Sequence, residues 1–115
     1  MDHPDQPTVR LGEVHFTTAP FGGYTYRLPP HHQVTPGIRV RVPLGKTTRI
    51  GILSRIFDEP DSTRYKDIIA PVDLVPLLTM ELLHLCSWIS EYYLAELGLV
   101  LAAAFPSGLS GEAGL

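Results

Sequence analysis

The sequence is poor in cysteine and tryptophan and has no long apolar run, and each shortage removes a class of protein. A single cysteine, Cys86, stands among 115 residues, which leaves no disulfide framework and makes a reducing cytosol the natural compartment. The longest apolar run, Leu97 to Phe105, contains a glycine and falls far below the roughly 20 residues that a membrane-spanning helix needs. Met1 to Pro7 is acidic and proline-bearing, unlike a secretory leader, so a soluble protein is expected. The length suits one small domain and excludes the two lobes of a helicase within these residues.

Net charge is also small, −3, but its distribution is uneven. Between Val9 and Phe57 stand seven Lys or Arg and one acid, Glu13, whereas residues 58 to 115 hold two cations, Arg64 and Lys66, against nine acids. The first half should attract polyanions and the second should not.

The basic half reads as strands. Val9 to Phe16 forms a first strand in which Gly12 shifts the apolar phase, as a bulge does. Phe21-Gly22-Gly23 turns the chain into a second, Tyr24 to Leu28, stopped by Pro29-Pro30. In Gly37 to Leu53, Ile38, Val40 and Val42 alternate with Arg39 and Arg41, and Ile50 and Ile52 resume the alternation after a turn over Pro43 to Lys46. A hairpin of this kind is expected to present Arg39, Arg41, Lys46 and Arg49 together as a phosphate-binding face. Asp58 to Tyr65 reads as a charged loop, and Lys66 to Val72 as a fifth strand with Ile68 and Ile69 available for the core.

Beyond Pro76 the period changes. Leu82, Leu85, Cys86, Ile89, Tyr92 and Tyr93 fall within one helical stripe, with Glu81, His84, Ser87 and Glu91 opposite and Thr79 as a possible cap. Trp88 lies on the shoulder of that stripe, placed to wrap the core edge or to meet another domain. A second helix is expected from about Glu96 to Ala104, stopped by Pro106. The fold class is therefore α+β: a small, curved antiparallel sheet or barrel of five to six strands followed by two C-terminal helices. Residues 1–8 are expected to form a disordered lead-in, 9–106 the domain, and 107–115 a linker-like tail toward a downstream domain.

Familiar catalytic motifs fail on spacing. Gly45-Lys46-Thr47 resembles the end of a nucleotide-binding loop, yet the glycine required five positions earlier is Val40, and a strand rather than a helix is expected to follow. His31 and His32 are adjacent in a proline-rich loop, and His15 and His84 have no partner visible in the sequence, so metal ligation is disfavoured. Cys86 lies on the apolar side of its helix, where a thiol packs rather than reacts. Nucleic-acid chemistry remains: Tyr24 and Tyr26 beside clustered cations are the residue types that hold a base and its phosphate. Core alternation through Tyr24, Tyr26 and Leu28 equally suits buried rings.

The run Tyr24-Thr25-Tyr26, the element Gly37-Ile38-Arg39-Val40-Arg41-Val42-Pro43-Leu44-Gly45-Lys46, then Arg49-Ile50-Gly51-Ile52, Lys66-Asp67-Ile68, Ser90-Glu91-Tyr92-Tyr93 and Ala103-Ala104-Phe105-Pro106 together resemble the N-terminal 3′-end DNA-binding domain of the PriA family of bacterial replication-restart helicases. The resemblance implies a pocket for the terminal nucleotide of a nascent leading strand at a stalled fork, built from Tyr24, Thr25, Tyr26, Gly45 and Lys66, with Arg39, Arg41 and Lys46 adding phosphate affinity. It implies no catalysis and no cofactor in this chain; ATP, magnesium and zinc would belong to downstream domains of a superfamily 2 helicase. Implied partners are single-stranded and forked DNA with a free 3′ end, the downstream helicase domains, primosome proteins and single-strand-binding protein, without a membrane. The implied location is the bacterial cytoplasm, at the nucleoid.

One departure stands out: the family's central carboxylate is Thr25 here. A hydroxyl makes weaker hydrogen bonds than an ionised acceptor, so end recognition is expected to be weaker or differently arranged, although a free 3′-hydroxyl is still expected to bind better than a 3′-phosphate. The alternative is a structural docking module, with end recognition weakened or lost, that packs on other domains or on primosome partners.

Overall fold

The computed structural model describes residues 7–60 and 64–105. Five strands and two helices follow one another: β1 (Thr8–His15), β2 (Tyr24–Arg27), β3 (Arg39–Leu44), β4 (Thr47–Pro60), β5 (Ala70–Pro71), α1 (Met80–Tyr93) and α2 (Leu97–Ala104). The α+β class holds. The proposed tail lies outside the described residues, as does most of the lead-in, although Thr8 already belongs to β1.

The strands pair antiparallel in the order β2-β1-β4-β3-β5. The sheet curls, and residues 66–71 close the gap between its ends. Ala70 and Pro71 pair with β3, while the Arg27 amide donates to the Lys66 carbonyl and the Ile68 amide donates to the Arg27 carbonyl, both at 2.8 Å. The fifth strand is thus shorter than the expected Lys66 to Val72. Its first residues bridge to β2 in parallel, Arg27 opposite Asp67, which buries Ile68 and leaves Ile69 exposed.

Two apolar cores lie on opposite faces of the sheet, and the centre of β4 separates them. Leu53 joins Val14, Phe16, Tyr26, Ile38, Val40, Val42 and Ile68 inside the curl. Ile52 points the other way and meets Leu78, Leu83, Cys86, Leu101 and Phe105 beneath the helices. Gly98 is where α2 meets the chain just past β1, and a Cβ there would collide with the Phe16 carbonyl oxygen. Thr79 caps α1, its hydroxyl accepting from the Leu82 amide at 3.1 Å.

Four local expectations are corrected. The β1 bulge falls between Glu13 and Val14, because Gly12 stays in register opposite Tyr26 and Ile56. Asp58 to Pro60 extends β4 instead of opening a loop, since Thr8 to Arg10 supplies pairing partners and Arg10 meets Asp58 at 3.3 Å. On α1, Leu83 and Cys86 face the core, while Leu85, Trp88, Tyr92 and Tyr93 are exposed, so the apolar stripe is rotated from the expected one.

The fourth concerns the basic hairpin. Its loop is the two-residue Gly45-Lys46, with Leu44 opposite Thr47, Val42 opposite Arg49 and Arg41 opposite Ile50. Directly opposed residues share a face. Arg49 therefore shares the inner face with Val42, while Arg39 and Arg41 share the other face with Ile52 and Ile50. A register one residue different would be needed to bring Arg49 to the face of Arg39 and Arg41, because one residue of slip exchanges faces.

Candidate DNA-binding cleft

A shallow cleft of about 240 Å3 opens where three segments of the barrel converge. Tyr24, Thr25 and Tyr26 of β2 form one wall. Pro43, Leu44 and Gly45 at the β3–β4 turn form the second, and Arg64, Tyr65 and Lys66 form the third. The volume lies below the roughly 300–1,000 Å3 of sites that enclose a drug-sized ligand, so it suits the end of one strand with part left in solvent.

Each wall has a local cause. Tyr26 buries its ring in the barrel core at 5% exposure and its hydroxyl donates to the Pro43 carbonyl at 2.8 Å, which ties the first wall to the second. Burial pushes its phenol up from the ordinary value, the neighbouring Tyr24 adds to this, and Arg49 opposes it. Tyr24 stays half-buried, its ring 5.3 Å from that of Phe16. Gly45 has φ +61°, with nothing within 4 Å of where a Cβ would stand, so the turn conformation requires glycine and the backbone there is open to a ligand. Lys66 is held in place by its carbonyl, which accepts from Arg27, while its side chain is exposed.

The structure therefore brings Tyr24, Thr25, Tyr26, Gly45 and Lys66 to one cleft and distributes the remaining expected residues. Lys46 is exposed at the turn beside Gly45, and Arg41 is exposed on β3. Among the described residues Lys66 makes no ion pair with Asp67, and Asp61, the other candidate acid, lies outside them.

Arg39 is a correction. It is 6% exposed, and its guanidinium donates to both carboxylate oxygens of Asp73 at 3.2 and 2.8 Å while its amide donates to the same group at 2.9 Å. Burial works against the Asp73 carboxylate, but the Arg39 hydrogen bonds and charge outweigh it and hold that carboxyl below its ordinary value. Arg39 is a structural ion pair, withdrawn from the phosphate-binding face. Arg49 also leaves that face: it lies over Phe16 at 4.6 Å and donates to Thr18 and Ala19, bracing the loop that leads to Tyr24.

Arg64 and Tyr65 also line the cleft, beyond the residues that the sequence motifs point to. Their adjacency to Lys66 was the available signal, but Asp58 to Tyr65 reads as a charged loop with nothing to show which way it folds. Gly45-Lys46-Thr47 lies in a strand–turn–strand hairpin, which lacks the helix that a phosphate-cradling loop requires. Among the described residues no group of three or more His, Cys, Asp or Glu gathers as a metal site. The Cys86 thiol is buried and its pKa is raised by that burial.

A family model described as the PriA 3′ DNA-binding domain (3′BD) matches residues 13–106. The chain belongs to that family. Residues 24–26, the β3–β4 turn and residues 64–66 all fall within the matched span. Among curated relatives, the replication restart protein PriA of Haemophilus influenzae is 35% identical over 92 residues, covering 77% of this chain and 13% of the relative. Its counterpart in Bacillus subtilis is 30% identical over 93 residues, covering 77% and 12%, and that of Rickettsia conorii is 26% identical over 102 residues, covering 89% and 16%. The chain spans less than a fifth of the length of these relatives. It is a DNA-binding domain of the PriA type, and no helix among its described residues is long and apolar enough to cross a membrane.

Proposed function

We propose that this domain captures the 3′ end of a DNA strand in the cleft between β2, the β3–β4 turn and residues 64–66, and so directs a replication-restart helicase to the nascent leading strand of a stalled fork. The observation that carries the reading is the convergence of Tyr24, Thr25, Gly45 and Lys66, from three separate segments, on one small open cleft. A half-buried tyrosine offers a face to a base, Gly45 admits a sugar to the backbone, and Lys66 neutralises the last phosphate. Helicase activity, with its ATP, magnesium and zinc, belongs on this reading to other parts of the full-length protein, as do contacts with primosome proteins and single-strand-binding protein. The site of action is the cytoplasm, at the nucleoid.

Fluorescence anisotropy with a linear single strand and a circle of the same sequence tests the reading. Tighter binding of the linear strand supports end capture; equal affinity removes it.

A second reading is favoured by one observation: Trp88 and Tyr92 stack at 5.0 Å on the outward face of α1 and are 56% and 66% exposed. On this reading the domain mainly docks against other domains. Charge reversal at Arg41 and Lys66 separates the two, since a docking module keeps its DNA affinity unchanged.

A further inference from the structure

Arg49 is absent from the phosphate-binding face but not from the neighbourhood of the cleft. It follows the β3–β4 turn and shares the inner face with Val42, and its side chain is half-buried. The guanidinium lies 4.6 Å from the centroid of the Phe16 ring, within cation–π range. In the same pose Nη1 donates to the Ala19 carbonyl at 2.8 Å and Nη2 donates to the Thr18 hydroxyl. One side chain of β4 therefore grips Phe16 and residues 18–19, the segment that feeds into Tyr24.

Phe16 carries the contact onward. Its ring is fully buried, so no base can reach it, yet its centroid stands 5.3 Å from that of Tyr24 at an interplanar angle of 55°, a tilted packing that favours one ring orientation over others. Tyr24 itself is paired to Val14, but residues 16–23 ahead of it belong to no strand, so the grip of Arg49 is what ties that segment to β4. Guanidinium, buried phenyl and half-buried phenol make a continuous line of contact from β4 to the first wall of the cleft. The positive charge of Arg49 also reaches the Tyr26 phenol, where it opposes the upward push of burial.

Resting on the end-capture reading, we infer that Arg49 is a positioning residue for the cleft: held against Phe16 and residues 18–19, it fixes the orientation of the Tyr24 ring on which the terminal base stacks, and it makes no phosphate contact itself. The device needs a guanidinium rather than a charge alone. A planar fork stacks on a ring and donates to two acceptors at once, whereas the ammonium of a lysine is a compact point charge on a flexible stem. Arg49→Lys therefore separates the two roles, because it keeps the charge and loses the fork.

The test titrates the 115-residue chain by anisotropy, over a range of salt, with a linear single strand and a circle of the same sequence. The proteins are the wild type, Arg49→Lys, Tyr24→Ala and the double variant, each checked for folding by circular dichroism. Tyr24→Ala is expected to weaken the linear strand about fivefold or more, as loss of a stacked base does, with the circle little changed. Arg49→Lys is expected to weaken the linear strand by about threefold to fivefold while leaving the circle and the slope of log K against log salt unchanged, because no cation is lost. In the double variant it should add little to Tyr24→Ala, since the two residues act as one unit. Phe16→Leu, which keeps an apolar side chain but removes the ring between them, is expected to reproduce the effect of Arg49→Lys and carries the test if the lysine variant does not fold. Full linear affinity in a folded Arg49→Lys, a loss shared equally by linear strand and circle, or losses that simply add in the double variant overturn the inference while leaving end capture standing. Equal binding of linear strand and circle by the wild type removes end capture and the inference together.

Discussion

Asp73 and Arg39 form the ion pair whose disruption the fold should feel most. Their side chains are 11% and 7% exposed, so removing one partner strands a charge away from water. Asp73→Ala is expected to cost about 3–5 kcal/mol in urea unfolding, whereas replacing both residues by apolar ones of similar volume costs much less. The pair also makes the domain acid-labile. Because the folded-state Asp73 carboxyl lies below its ordinary value, the unfolded chain binds more protons as pH falls through the ordinary carboxylate range. The contribution of the pair is therefore full above about pH 4 and is lost on acidification toward the folded-state value. Glu13 acts in the same sense: burial opposes its ionised form, and its hydrogen bonds to His15 and Arg55 outweigh that burial. A urea midpoint that does not fall between pH 5 and pH 3 would contradict this assignment.

Among the elements, β2 and the β3–β4 turn are joined by one side chain. Tyr26→Phe removes the hydroxyl that donates to Pro43 and should cost about 1 kcal/mol of stability. It should also weaken DNA binding without changing the salt dependence, because no cation is lost; a changed slope would show that the seam does more than hold the walls together. Alternation made the strands legible in the sequence: Ile38, Val40 and Val42 are buried as their spacing requires. Register was not legible. The alternation of β3 and β4 does not say which residues stand opposite one another, and the pairing of Val42 with Arg49 sends Arg49 to the face opposite Arg41. The burial of Arg39 was hidden for a related reason, since its partner Asp73 lies 34 residues away. The α1 stripe misled because Leu83, not Leu85, meets the core beneath β4, and apolar residues ring most of that helix. Tyr24, Thr25, Tyr26, Gly45 and Lys66 could be named from their motifs, but Arg64 and Tyr65 required the fold.

At the scale of the whole molecule, the cations concentrate on the barrel while the helices carry acids: Glu81 and Glu91 lie within α1 and Glu96 stands immediately before α2. DNA should therefore approach from the barrel side. If Arg41, Lys46 and Lys66 each neutralise one phosphate, log K should fall with log salt at a slope of about −2 for a single strand, and Lys66→Ala should make that slope shallower by somewhat under one unit. A salt-independent affinity would contradict the barrel face as the binding surface. The most direct test of end capture is a crystal structure of the domain with a short single-stranded oligonucleotide. The account predicts the 3′-terminal nucleotide in the cleft, its base against Tyr24, its sugar beside Gly45 and its phosphate near Lys66. A strand lying across Arg41 and Lys46 with its 3′ end elsewhere and the cleft empty would contradict it.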